Sequence, residues 1–432
     1  MTNVRTTIAN SWRNPELRSR MIFTLMMIVA YRIGAAVPVP FIDRVAFTNL
    51  LNRFGSLGSM MDIISGGALS SVSIFAMGIQ PYINASIIIQ LLTVAIPALE
   101  NLSKEGETGR KKIQQIVRIV TVCLGLLQAF FFWMATKSST VQGISPVLSA
   151  LVIIASFTAG TAVVMWIGEA INFNGVGNGI SILIFVGIIS RLPGISLNAS
   201  RYFEIWRTRS NFFMAVIYAI ILVLVALAIL IFVIFVHQAE RRIPVQYAKR
   251  VKGRRQYGGQ SSYIPIRVNQ SSVMPVIFAM AIIQMPSLIV TFFFINSENP
   301  VVMWFRNLHQ NPFYYLIQIV LIIAFTFFYS EIQYNPYEIS ANIQKNGGYI
   351  PGIRPGRPTA DFIARSSHRL CWVDGIFLSC VTVLPGLIGA LTRTHGLWFG
   401  GTAVIIIVGV CMDLLNQLEA QMMQRQYKGF LG

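Results

Sequence analysis

Apolar residues occupy ten long runs of this chain, most of them near the roughly 20 residues that a helix needs to cross a bilayer. They cover residues 21–37, 74–96, 113–135, 147–167, 180–192, 212–236, 273–295, 313–330, 370–391 and 397–415. The fifth is the shortest and spans only by borrowing Gly177-Asn178-Gly179 at one end. Residues 65–92, SGGALSSVSIFAMGIQPYINASIIIQLL, depart furthest from a plain anchor. A Gly-Gly hinge leads into a helix expected to carry Gly78, Gln80, Pro81 and Asn84 at mid-depth. Proline removes a backbone hydrogen bond and glycine admits a neighbouring backbone, so this span reads as a moving wall.

Its wording returns in the seventh run, where Ile277-Phe278-Ala279-Met280 and Gln284-Met285-Pro286 echo Ile74-Phe75-Ala76-Met77 and Gln80-Pro81. The fifth and tenth runs match likewise, Gly179-Ile180-Ser181-Ile182 against Gly401-Thr402-Ala403-Val404. Both pairs are displaced by five spans. An odd displacement reverses direction across the bilayer, which predicts two inverted five-helix halves.

The segment 58–73 has an apolar core, 60–69, far too short to cross, and reads as a re-entrant plug or an external loop helix. Residues 241–247 and 263–267 alternate around a basic Gly-rich turn with Lys252, Arg254 and Arg255, the pattern of a projecting β-hairpin. Residues 346–356, NGGYIPGIRPG, are dense in Gly and Pro and predict a fixed irregular loop presenting Arg354.

Composition agrees with a polytopic membrane protein: of 432 residues, 54% are hydrophobic and 12% charged, about half the charged share of a soluble domain. The net charge of +18 belongs in the loops, since charge at the bilayer centre is costly. With ten spans both termini lie on one side, and 24 of the 34 basic residues fall there, which assigns that side to the cytoplasm. The first run is followed by Pro38-Val39-Pro40 rather than a small-residue cleavage site and reads as an uncleaved span, with Arg32 expected to snorkel from its outer end. Arg191, Arg201, Arg207 and Arg209 fall on the opposite side and run against the rule.

Candidate chemistry is sparse. Cys123, Cys371, Cys380 and Cys411 lie in apolar segments without paired spacing, and the four histidines are scattered, so neither a disulfide framework, a metal site nor a cofactor is expected. Residues 104–110, KEGETGR, lack the Gly-Lys-Ser/Thr ending of a phosphate loop and read as a solvated turn. The spans hold no paired carboxylates or other enzyme constellation, so no catalytic residue is expected. Glu169, Asp374, Asp413 and His237 all sit near span ends, which leaves mid-membrane uncharged and weakens the alternative of a secondary transporter for small solutes. Ile79, Ile83, Ile180, Ile184, Ile277 and Ile406 could form a hydrophobic constriction, or simply pack helices together.

Taken together, Arg32-Ile33-Gly34, Ser65-Gly66-Gly67-Ala68-Leu69, Gln80-Pro81-Tyr82-Ile83, Gly177-Asn178-Gly179-Ile180-Ser181, Tyr247-Ala248-Lys249-Arg250 and Pro351-Gly352-Ile353-Arg354-Pro355-Gly356 closely resemble the SecY family, channel subunits of the bacterial Sec protein translocon. That resemblance implies an all-α polytopic fold of ten transmembrane helices in two inverted halves, with a short re-entrant plug helix and a cytoplasmic β-hairpin. The implied organisation is an arm over 1–20, an N-terminal half over 21–195 with the plug at about 57–70, a C-terminal half over 196–420 with cytoplasmic loops 238–270 and 331–370, and a tail over 421–432.

By resemblance the six isoleucines fall on the pore ring, and Met60, Met61, Asp62, Ile63, Ile64, Ser65, Gly66 and Gly67 on the plug. Gln80, Pro81, Asn84, Gln128 and Gln284 fall on the lateral gate, where Gln80 and Asn84 are more polar than the residues relatives often carry. Arg254, Arg255 and Arg354 fall on the docking loops for the ribosome and the SecA motor. The implied function is a protein-conducting channel that passes unfolded secretory chains and releases signal sequences and transmembrane segments into lipid. SecE, SecG, SecA, the ribosome, signal sequences, nascent chains and membrane lipids are the implied partners, and the bacterial cytoplasmic membrane the implied location.

Overall fold

The computed structural model describes residues 12–53, 62, 65–137, 145–191, 203, 212–247, 250–252, 255–257, 261–293, 299–306, 308, 311–392 and 401–428. In chain order its helices begin with α1 (Pro15–Ala36), α2 (Arg44–Arg53), α3 (Gln80–Ala95), α4 (Pro97–Lys104), α5 (Glu107–Thr136), α6 (Pro146–Asn174), α7 (Gly179–Ile189) and α8 (Phe212–Gln238). The strands β1 (Glu240–Tyr247), β2 (Arg250–Lys252), β3 (Arg255–Tyr257) and β4 (Ser261–Arg267) follow. Then come α9 (Met274–Phe293), α10 (Pro300–Arg306), α11 (Pro312–Gln333), α12 (Pro336–Lys345), β5 (Gly348–Tyr349), α13 (Arg357–Thr392) and α14 (Gly401–Lys428).

A helix meets each of the ten apolar runs: α1, α3, α5, α6, α7, α8, α9, α11, α13 and α14. Seven of the described helices are long and apolar enough to cross a membrane alone. The others, α3, α7 and α9, are apolar but shorter or bent, and α3 turns by 100° into α4 where Pro97 follows Ile96. This is a multi-pass membrane protein. α8 carries its character most openly, with Ile220, Ile221, Val223, Leu224, Leu227, Ile231 and Phe235 all exposed. In lipid such a face costs nothing, since its backbone polar groups are satisfied within the helix.

The chain divides into two compact units. The first comprises 1–197, 286–309 and 410–432; the second comprises 198–285 and 310–409. In the first unit a core of Val39, Ile42, Phe47, Leu69, Val72, Ala76, Met77, Ala129, Phe132, Ile153 and Phe157 wraps the segment that precedes α3. Close helix packing there relies on glycine. A Cβ on Gly179 would lie 2.1 Å from the Gly168 carbonyl, so α7 can lie against α6 only with no side chain at that point.

In the second unit β1 and β4 pair antiparallel from Glu240↔Arg267 to Gln246↔Ser261, the hairpin that the alternation predicts. β5 adds a third strand through Gln246↔Tyr349 and Tyr247↔Gly348. Sequence pattern does not reveal it, because two residues carry no period. Ile243, Val245, Ile266, Ile343, Ile350 and Ile363 bury the inner face of this small module. The stretch 346–356 is irregular as expected apart from β5, and the helix α12 precedes it, opening on Asn335, whose side chain caps the Tyr337 and Glu338 amides, with Pro336 in the first turn. α13 likewise begins well before its apolar run, at Arg357.

Candidate functional site

The long helix expected over 74–96 does not form as expected. α3 starts at Gln80 with Pro81 in its first turn, where the missing N–H is an orphan anyway. Pro81 therefore starts the helix rather than weakening its middle, whereas its counterpart Pro286 does sit inside α9. Upstream, residues 65–79 run as successive turns, with positive φ at Gly66 (66°), Gly67 (91°) and Gly78 (56°). Val72 also has positive φ (51°), a conformation that costs a β-branched residue energy and persists only where packing fixes it. Packing does fix it here. Val39 N–H donates to the Val72 carbonyl at 2.8 Å and Ile74 N–H to the Val37 carbonyl at 3.0 Å, pinning the turns to the residues that follow α1.

Polar contacts hold the other side of this segment. Asp62 is nearly buried; its Oδ1 accepts from Ser70 N–H at 2.8 Å and its main-chain carbonyl from Gly67 N–H at 2.9 Å. Arg191, at the end of α7, pairs with the Asp62 carboxylate and donates to Ser70 Oγ at 3.2 Å. Ser190 Oγ donates to the Gly66 carbonyl at 3.0 Å. Arg32 does not snorkel: its guanidinium is half-buried and donates to the carbonyls of Gly66 (3.3 Å) and Val186 (2.7 Å). At closest approach a Cβ on Gly66 would lie 2.6 Å from Gly187 Cα, so the two backbones touch. Of the expected plug residues, Asp62, Ser65, Gly66 and Gly67 thus lie packed into the first unit. Met60, Met61, Ile63 and Ile64 lie outside the described residues.

Among the six isoleucines, Ile79 and Ile83 sit one helical turn apart at the start of α3, and Ile180 and Ile184 one turn apart on α7. Asn178 caps α7 by accepting from Ile180 N–H at 3.1 Å, and Asn172 accepts from Gly179 N–H at 2.7 Å, so the start of α7 is fixed. Ile277 and Ile406 belong to the second unit, on α9 and α14, both partly exposed. Gln80, Pro81 and Asn84 occupy the first turns of α3, Gln128 lies on α5 and Gln284 is buried on α9. Asn84 is buried with its Oδ1 unpartnered, an amide in apolar surroundings.

In the polar module Arg354 is exposed on a loop shaped by Gly352 (φ 81°) and Gly356 (φ 98°). Thr359 Oγ1 donates to the Arg354 carbonyl at 2.8 Å and Ser340 Oγ to the Gly356 carbonyl at 2.8 Å, so the loop has one fixed shape. Arg255 lies on β3, while Arg254 lies outside the described residues. On the outer hairpin Arg242 stacks over Tyr263 at 4.8 Å, and the hydrogen bond that it donates to the Glu240 carboxylate holds its guanidinium above its ordinary pKa. No group of three or more His, Cys, Asp or Glu side chains with metal-binding geometry occurs among the described residues.

The SecY family pattern matches residues 73–415. The chain belongs to the SecY family. It is 43% identical over 449 residues to the protein translocase subunit SecY of Corynebacterium glutamicum, covering 98% of this chain and 99% of that one. Its fold is that of a SecY protein described as having a plug domain that stabilises the closed state of the translocation channel, with a TM-score of 0.64 at 17% identity over 94% of this chain and 92% of the other. Sec61 in a canine ribosome–channel complex from the endoplasmic reticulum matches with a TM-score of 0.63 at 18% identity, over 94% and 92% of the two chains. Membership of the SecY family makes this chain a protein-translocation channel rather than a small-solute transporter.

Proposed function

We propose that the chain is the channel subunit of a bacterial Sec translocase in the cytoplasmic membrane, with both termini in the cytoplasm. Ile79, Ile83, Ile180, Ile184, Ile277 and Ile406 form its constriction. A nascent chain varies in sequence, so its conduit must touch it weakly, and aliphatic side chains do this while excluding ions by dewetting. The segment at about 57–70, with Asp62, Ser65, Gly66 and Gly67, acts as the plug that closes the resting channel. Gln80, Pro81, Asn84, Gln128 and Gln284 line the side exit through which an apolar signal segment leaves water for lipid. Arg254, Arg255 and Arg354 dock the ribosome and the SecA motor, and SecE and SecG are the companion subunits.

The observation that carries this reading is the end-to-end relationship to SecY translocase subunits. Reconstitution tests it. Proteoliposomes holding this chain with its small partner subunits should protect an added secretory precursor from protease in a motor- and ATP-dependent way. Absence of protection, with the complex intact, would refute the reading.

A further inference from the structure

We propose that Asp62 and Arg191 form an electrostatic latch, backed by Arg32, that holds the channel shut, and that this ion pair must open before a polypeptide can pass. The inference rests on the reading of the segment at about 57–70 as the plug and concerns how that plug is kept in place.

The contacts converge on a short stretch from two separate helices. From α7 come the Arg191–Asp62 pair, Arg191 to Ser70 Oγ and Ser190 to the Gly66 carbonyl. From α1 comes Arg32, which reaches the same Gly66 carbonyl and also ties α1 to α7 through the Val186 carbonyl. Asp62 is 7% exposed, so its charge is held away from water and its interaction with a guanidinium is correspondingly strong. Gly66 and Gly187 meet backbone to backbone, which brings the segment close enough for these side chains to reach it. Polar contacts fasten this side, two of them between residues more than 120 positions apart.

Among the described residues, two arginines face the segment, and the Asp62 carboxylate answers Arg191. Removing Arg191 strands that carboxylate, the more buried member of the pair. Removing the Asp62 charge leaves the segment tied to Arg191 and Arg32 through hydrogen bonds alone. Either change therefore weakens the latch. Exchanging the two residues rebuilds the pair.

The test is single-channel recording of the purified translocon in planar bilayers. Asp62→Asn should raise the frequency of open events roughly tenfold, the shift produced by losing about 1.4 kcal/mol. Arg191→Gln should raise it as well, and the exchange Asp62→Arg with Arg191→Asp should return it toward wild type. Deletion of residues 60–69 serves as the open reference. If the deletion opens the channel and Asp62→Asn does not, the latch is wrong; if the deletion leaves the channel shut, the plug reading itself fails. A second measurement stands apart from the stability of the charge variants. Asp62→Cys with Arg191→Cys, joined by a short bismaleimide, should close the channel and block translocation of a precursor, with the uncrosslinked protein remaining active. Full translocation through the crosslinked protein would overturn the proposal.

Discussion

Arg118 Nε lies 2.7 Å from Glu169 Oε1, joining α5 to α6 at a point where the Glu169 side chain is only 8% exposed. Gln114 Nε2 adds a longer contact to the same oxygen, at 3.3 Å. Breaking a buried pair strands a charge, but Arg118 is more than a third exposed, which lowers the expected loss to about 2 kcal/mol. Arg118→Met should therefore lower the thermal midpoint of the purified complex by several degrees. Arg118→Met combined with Glu169→Leu should recover most of that loss, because the stranded charge is gone. Equal destabilisation in the single and double variants would show that the pair does not act through charge.

Gly160 illustrates how tightly α6 is fitted to the turns before α3. A Cβ there would fall 2.1 Å from the Ile74 carbonyl oxygen, and backbone cannot step aside cheaply. Gly125 on α5 offers the contrast, since its Cβ would meet Thr161 Cγ2 at an ordinary 3.5 Å. Gly160→Ala should reduce the yield of folded protein in detergent severalfold, while Gly125→Ala should leave it near wild type. Gel filtration of the two variants checks this directly.

The polar module separates folding from docking. Ile266 is fully buried, and Ile266→Ala should cost about 2–4 kcal/mol and make the 240–267 hairpin sensitive to limited proteolysis. Arg354 is exposed and makes its local hydrogen bond through its main chain. Arg354→Glu should leave the proteolysis pattern and complex assembly unchanged while motor-driven export collapses. Normal motor-stimulated export by Arg354→Glu would remove this loop from the docking surface.

Asn84, Gln128 and Gln284 each place an amide in an apolar helix, and interhelical polar contacts of this kind contribute on the order of 1 kcal/mol apiece. Replacing each with Leu should shift the minimum hydrophobicity that a signal sequence needs for export. A secretion reporter carrying signal sequences of graded apolar length measures it; an unchanged threshold in all three variants would exclude these residues from the gate.

The spans were legible because lipid imposes one requirement, a sustained apolar run, and the ten runs coincide with ten helices. The hairpin was legible for a related reason: its strands alternate, and Ile243, Val245 and Ile266 all point inward. Local rules misplaced Pro81, because a proline reads the same in the first turn as in the interior until the preceding backbone is known. Gly78 at φ 56° is what ends the turns and lets the helix begin there. The ties around Asp62 were hidden for another reason. Arg32 and Arg191 each look like a charge near a span end, and only the fold makes Arg191 the partner of the Asp62 carboxylate and Arg32 the partner of the Gly66 carbonyl.

The most direct test of the channel reading is site-specific photocrosslinking to a secretory chain arrested midway through export. A photoreactive residue would be placed in turn at Ile79, Ile83, Ile180, Ile184, Ile277 and Ile406, with the exposed Leu151 and Phe235 as controls. Crosslinks to the arrested chain from all six isoleucine positions and none from the two controls are expected. Crosslinking from Leu151 and Phe235 as strong as from the isoleucines, or none from the isoleucines at all, would contradict a polypeptide path through a ring of these side chains.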